Sequence, residues 1–196
     1  MEKVLALGAH IDDLEIGAAG TLLKHRDVGD EIFLAVMKSD ESITAPVNIR
    51  MSEQNEAAKI LGVDVNHMFL FTQHSTIEEK VKVLDQTCPT VLYFPYEIDY
   101  HQDHSIASQV GFAVARRVQM TVLRYLVTTS HSYFPNYFSV INIDEKIKLV
   151  SVFKSQMTRR PKFMEIMIAQ SRFFGSLIPG DGHYAEGFML HRMVRF

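Results

Sequence analysis

Short apolar runs alternate along this chain with longer segments whose apolar residues recur at helical spacing. Six runs are rich in β-branched and aromatic residues: VLALGA from Val4, EIFLAVM from Glu31, HMFLF from His67, TVLYFPY from Thr90, VLRYLVTT from Val122 and FSVINI from Phe138. A sheet with one wet face would show strict alternation, whereas near-continuous apolar order predicts strands covered on both faces. Helix-like segments lie between them, at residues 17–28, 47–61, 76–87 and 104–118. After the last run, Asp144 is placed to cap a helix to about residue 156, and a further helix is predicted over 163–174. Strand and helix therefore alternate. The expectation is an α/β fold, an open and mostly parallel sheet with right-handed crossovers and helices on both faces, Rossmann-like in outline. GSLIPGDGHY, residues 175–184, reads as a glycine-rich surface loop. No repeat, low-complexity tract or Pro/Ser linker interrupts the chain, so residues 1–196 are expected to form a single domain.

Composition narrows the function classes. At 196 residues and 47% hydrophobic content the chain can bury one sizeable core. A net charge of -3 leaves no basic excess to neutralise many phosphates, which argues against a nucleic-acid partner; an acidic substrate would need a local basic patch. Cys88 is the single cysteine, so no intrachain disulfide forms, and a cytoplasmic location is expected. The apolar stretch in MEKVLALGAH is too short for a signal sequence, and no run approaches the roughly 18 apolar residues of a membrane span. Self-association into a homo-oligomer is left open.

The chemistry concentrates where strands end. VLALGA runs straight into His10, followed by Asp12, Asp13 and Glu15, and in open α/β sheets ligands bind at the carboxyl ends of strands. His10 and Asp13, three positions apart, can turn to one point, and imidazole with carboxylate is a common ligand pair for a divalent ion such as zinc. Asp12 would stand beside them, near a bound water. Helix capping competes with this reading, because aspartates are favoured N-caps, and both readings stay open here. Capping accounts for one carboxylate better than for two adjacent ones, which repel unless a cation or proton intervenes. A dinucleotide site is disfavoured: Gly8, Gly17 and Gly20 do not form G-x-G-x-x-G.

A second strand end repeats the arrangement in TVLYFPYEIDYHQDH, whose turn holds Asp99, His101, Asp103 and His104. His104 is a candidate third ligand, completing a His/Asp/His set with one coordination position open. His101 would then sit near the ion without binding it, to donate a hydrogen bond or proton, with Asp103 orienting an imidazole.

Together, GAHIDDLEIGAAGTL and DYHQDH resemble the PIG-L/LmbE family of zinc-dependent deacetylases, whose signatures read A-H-P-D-D-E and H-x-D-H. NIRMSEQNEAAKILGV resembles that family's R-x-x-E helix, EKIKLVSVFKSQ its lysine-bearing helix with Ser-Gln, and YAEGF its C-terminal Tyr-Ala-Glu element. The resemblance implies His10, Asp13 and His104 as zinc ligands, though another divalent transition metal would serve, and Asp12 as general base. It implies that His101 polarises the carbonyl or protonates the leaving amine, with Asp103 as its partner helping to keep it protonated. It places Arg50, Tyr184 and Glu186 near the substrate. Ile11 stands in place of the usual proline, and Leu14 where glutamate is frequent, with Glu15 one place on. The implied activity is removal of an acetyl group from an N-acetylated amino sugar or conjugate by metal-activated water. Alternatives are an amidase for another acyl-amine, a catalytically lapsed metal- or sugar-binding module and, more distantly, a nicotinamide-dependent oxidoreductase.

Overall fold

Alternate residues of β1 (Lys3–Gly8) point to opposite faces, and both faces are covered: Val4 and Ala6 enter one apolar cluster, Leu5 and Leu7 another. This burial explains the continuous apolar runs. The computed structural model describes residues 1–40, 45–116 and 119–194. It adds β2 (Glu31–Val36), β3 (Met68–Leu70), β4 (Val91–Pro95), β5 (Thr121–Tyr125), β6 (Tyr137–Val140) and β7 (Ala185–Arg192) to form one sheet in the order β3-β2-β1-β4-β5-β7-β6. The first five strands pair in parallel, while β7 runs antiparallel to both β5 and β6.

Helices cover each face, as expected. On one side α1 (Asp13–Asp27), α2 (Val47–Ile60), α5 (Ile143–Val150) and α7 (Phe163–Ser176) bury Leu22, Ala57, Leu149 and Met167. On the other, α3 (Ile77–Leu84) and α4 (Gln102–Ala115) bury Leu84 and Val110. Among the described residues no helix is long and apolar enough to cross a membrane.

The six predicted strands all form, and the differences have local causes. Helix α1 begins at Asp13 rather than residue 17, so the acidic residues belong to the helix start itself. The predicted helix 144–156 is two helices, α5 and the short α6 (Lys154–Arg159). Its cap is Asn142, not Asp144: the Asn142 side-chain oxygen accepts the amide N–H groups of Asp144 and Glu145 at 3.1 and 3.3 Å. The predicted end of α4 at Val118 lies outside the described residues. Strand β7 has no counterpart among the predicted elements, because Glu186 and Gly187 break its apolar pattern.

Glu186 explains why that strand is nevertheless interior. Its carboxylate, 3% exposed, accepts the Gly20 and Thr21 N–H groups at 2.8 Å each, the Thr21 hydroxyl at 2.6 Å and the Lys146 ammonium at 2.7 Å. Lys146 also donates to the Ile16 carbonyl at 2.9 Å. Ile16 C=O and Gly20 N–H are the i and i+4 groups of one helical turn, so the ion pair reaches into the backbone of α1 and ties α5 and β7 to it. Close approach helps: a Cβ on Gly17 would stand 2.0 Å from the Tyr125 ring, and one on Gly20 2.6 Å from Ile141. Removing one partner of a buried, hydrogen-bonded pair leaves the other charge uncompensated. Glu186→Gln should therefore lower unfolding stability by about 3–5 kcal/mol in urea titration; a loss below about 1 kcal/mol would show that Lys146 finds another partner or deprotonates at little cost.

Candidate active site

Chain order in the sheet reverses between β1 and β4: successive strands grow outward to β3 on one side and to β5 on the other. The crevice at such a point, above the carboxyl ends of the strands, is where open α/β sheets take ligands. A cavity of about 330 Å³ opens there, lined by His10, Ile11, Asp12 and Asp13 after β1, Lys38 after β2, His101 and His104 after β4, and Thr128 and Thr129 after β5. Arg50 from α2 and Gln156, Arg159, Arg160 and Phe163 complete the wall.

The first turn is not built as a cap. Asp12 occupies the N-cap position of α1 with φ 92° and ψ -22°, and its side chain makes no capping hydrogen bond. Left-handed backbone at a non-glycine residue costs on the order of 1–3 kcal/mol and persists only where surroundings enforce it. Here the Arg50 guanidinium donates to the Ile11 carbonyl and lies 3.4 Å from Asp12 Oδ2. Asp13 turns back instead, accepting the His10 N–H at 2.8 Å. Capping thus accounts for neither aspartate.

His10, Asp13 and His104 converge. Asp13 Oδ2 lies 3.5 Å from His10 Nδ1 and 3.5 Å from His104 Nε2. Donor atoms bound at about 2.0–2.2 Å to a tetrahedral ion stand about 3.3–3.6 Å apart, so this spacing fits a divalent metal. The far nitrogens are also held by carboxylates: His10 Nε2 lies 2.9 Å from Asp103 Oδ2, and His104 Nδ1 lies 3.1 Å from Asp99 Oδ2. Carboxylate behind imidazole is the usual support of a metal-binding histidine, fixing tautomer and ring orientation. Asp99 is itself locked by the hydroxyls of Thr129 and Ser130 at 2.6 and 2.8 Å and by the His101 N–H at 2.7 Å.

Electrostatics follow from burial and these contacts. Burial alone would lower His10 and His104, but their carboxylates outweigh it, raising His10 above its ordinary value and His104 to about 10. Burial would raise Asp13, yet the two histidines hold it far below the carboxylate range. A divalent ion held there would supply the positive charge that Asp13 needs and compete with protons for the two imidazoles. Burial pushes Asp12 up to about 7 against the pull of Arg50. Glu15, buried and accepting from Gln54 Nε2 at 2.7 Å, also rises to about 7, chiefly through burial.

His101 is lowered, first by burial and then by the charges of His10 and His104, and its Nδ1 accepts the Asp103 N–H at 3.3 Å. That contact assigns the ring proton to Nε2 of a neutral imidazole. Asp103 acts on His101 as well as on His10, its carboxylate lying 3.9 Å from His101 Nδ1 and its charge raising that imidazole against the other influences. The same carboxylate serves His10 and, at 3.2 Å, Lys38. One expectation is corrected: the C-terminal candidates do not reach the cavity. Glu186 is buried beneath α1, and Tyr184 lines a separate hollow with Arg172, Asp181 and His183. Arg50 does line the cavity.

Pattern reading gives no role to Lys38, Asp99 or Thr129, and marks Glu53 only as the glutamate of the R-x-x-E match. Asp99 carries a weaker signal, an acidic residue in the same turn as His101 and His104. Glu53 acts at a distance: it accepts the Ser155 N–H and hydroxyl at 2.8 and 2.7 Å, linking α2 to α6.

A family model described as "PIG-L: GlcNAc-PI de-N-acetylase" matches residues 5–115, which include both histidine-bearing turns. "Uncharacterized deacetylase YaiS" of Escherichia coli (strain K12) is 27% identical over 150 residues, covering 70% of this chain and 81% of that protein. The crystal structure of the conserved protein TT1542 from Thermus thermophilus is similar with a TM-score of 0.84 and 25% identity, covering 100% of this chain and 97% of that one. The N,N'-diacetylchitobiose deacetylase from Pyrococcus horikoshii, complexed with its inhibitor MPG, has a TM-score of 0.77 at 22% identity, with 96% of this chain and 83% of that one covered.

The carboxylate behind His104 provides a test that leaves the three facing atoms intact. Asp99→Ala should weaken zinc affinity by about 10–100-fold in chelator competition. Unchanged affinity would mean that Thr129 alone orients the ring.

Proposed function

Since this chain belongs to the PIG-L family, described by its GlcNAc-PI de-N-acetylase activity, we propose that the strand-end cavity is the active site of a metal-dependent N-deacetylase acting on an N-acetylated amino sugar or sugar conjugate. One observation carries the reading: Asp12 presents a carboxylate, neither capping nor ligating, beside three side chains that face one point. A binding module has no use for that extra charge, and the strained backbone that displays it is the kind found at catalytic positions.

His10, Asp13 and His104 hold the ion, with zinc the favoured choice for a His/Asp/His set. When bound, such an ion lowers the pKa of a coordinated water towards ~7 and acts as a Lewis acid on the acyl carbonyl. Asp12 takes the proton of the attacking water, and its burial, which pushes it up, suits a group that must accept a proton and return it to the leaving nitrogen. Arg50 aims that carboxylate and favours its ionised form against the effect of burial. His101, neutral with its proton on Nε2, donates a hydrogen bond to the carbonyl oxygen as negative charge grows there. Asp99 and Asp103 fix the two ligand imidazoles, and Lys38 holds Asp103 in place.

Asp12→Asn separates base from scaffold, because asparagine tolerates left-handed backbone and the ligands are untouched. The variant should bind zinc like the parent and release free amine from N-acetylated sugars about 10²–10⁴-fold more slowly. Turnover within about threefold of the parent would remove Asp12 from the base role.

A further inference from the structure

Helix α7 turns more apolar surface outward than the fold uses. Its inner side buries Phe163, Met167 and Phe174, while Ile166, Phe173 and, just past its end, Leu177 stay 61%, 59% and 51% exposed. These three positions are spaced seven and four apart, so they form one stripe along the solvent side, with exposed Ala169 beside it. Single apolar residues on a surface are ordinary, whereas a stripe that borders an apolar groove marks a contact surface. The groove here, about 670 Å³, runs along the same helix, between Ile166 and Met167 and the Leu126–Val127 segment, with Phe163 in its wall.

Two charges border the opposite edge of the stripe. Glu165 and Arg172 are both exposed and lie seven residues apart, about 10 Å along the axis, so they share an edge without reaching each other. Neither makes an ion pair among the described residues. Their order selects the occupant. In an antiparallel pair of identical helices each edge faces the same edge of the other copy, with the chain reversed. A two-fold axis passing between Ile168 and Ala169 therefore sets Glu165 opposite the partner's Arg172, and does so twice. Ala169 falls beside that axis, where a small side chain lets the helices approach. Phe173 and Leu177 fall over the start of the partner's helix, against the groove bounded by Phe163 and Ile166. A parallel pair would set the charged edge against the apolar one.

We propose that α7 is a self-association surface whose occupant is a second copy of this chain, packed antiparallel about that two-fold axis. One pair of 14-residue helices buries on the order of 1,000 Å², at the low end for specific interfaces, so the dimer is expected in the micromolar range, Kd about 10⁻⁶–10⁻⁵ M. The groove shares Thr128, Arg160 and Phe163 with the strand-end cavity, so the second copy borders the mouth of that cavity, although the contact does not depend on the chemistry inside it.

Sedimentation velocity of the full chain across about 10⁻⁷–10⁻⁴ M should show monomer passing into dimer. E165R and R172E each set like charges face to face and should weaken the dimer by about tenfold or more, while E165R/R172E restores opposite charges in reversed order and should recover it to within about threefold. F173S should weaken it at least as much as either charge variant. In the C88S background, which removes the single native thiol, A169C should cross-link into a covalent dimer on mild oxidation, because α-carbons beside the axis fall within the about 4.4–6.8 Å that a disulfide spans. A monomer at every concentration, or an assembly that E165R, R172E and F173S leave unchanged, would overturn the proposal. So would charge variants that weaken the dimer without recovery in E165R/R172E, or a dimer in which A169C fails to cross-link.

Discussion

Buried negative charge is the constraint around which this site is organised. Asp12, Asp13 and Glu15 fall within four consecutive residues, all shielded from water by the sheet ends and the helices above them. Carboxylates that close together cannot all stay ionised in a medium of low dielectric without nearby positive charge or shared protons. Each finds a different answer. Asp12 has Arg50, Asp13 has the two imidazoles, and Glu15 has the Gln54 amide, with its second oxygen unpartnered. Of these three carboxylates, Asp13 is the one whose oxygen joins two imidazole nitrogens facing one point.

Holding that arrangement takes much of the fold. Helix α1 carries Asp13, and its position is set by Lys146 and Glu186 gripping its backbone, by Gly17 and Gly20 admitting Tyr125 and Ile141, and by the Tyr125 hydroxyl donating to the Leu7 carbonyl at 2.6 Å. On the other side, Asp99 is bonded both to the turn that bears His101 and His104 and to Thr129 and Ser130 after β5, so two loops brace each other. The pair Arg50 and Glu53, one turn apart on α2, performs two tasks: one pins the Asp12 turn and the other anchors α6. Fold alone does not dictate chemistry, since parallel α/β sheets support many reactions; the choice lies in what these turns present.

Much of this is legible in the sequence, for physical reasons. Strands buried on both faces write themselves as apolar runs, and two such runs ending in histidine and aspartate mark adjacent strand ends. Other features are hidden because they depend on partners far along the chain. Strand β7 escapes because Glu186 and Gly187 break its pattern, and only the Lys146 and α1 backbone contacts make that carboxylate an interior group. The same contacts separate Glu186 from the cavity, although its place in a resembling motif suggests substrate. A second partner of Asp103 is hidden for a related reason: residues 101 and 103 are neighbours in sequence, but the carboxylate also faces His10 across the gap between β1 and β4. The place of Arg159 and Arg160 in the cavity wall needs α6 to be a separate helix, which the continuous pattern of 144–156 does not reveal.

Anomalous X-ray diffraction at the zinc edge from crystals grown with stoichiometric zinc addresses the central claim most directly. A single strong peak about 2.0–2.2 Å from His10 Nδ1, Asp13 Oδ2 and His104 Nε2 is the predicted result. A folded protein with no peak there, or with the ion bound elsewhere and the two imidazoles still hydrogen-bonded to Asp13, would contradict it.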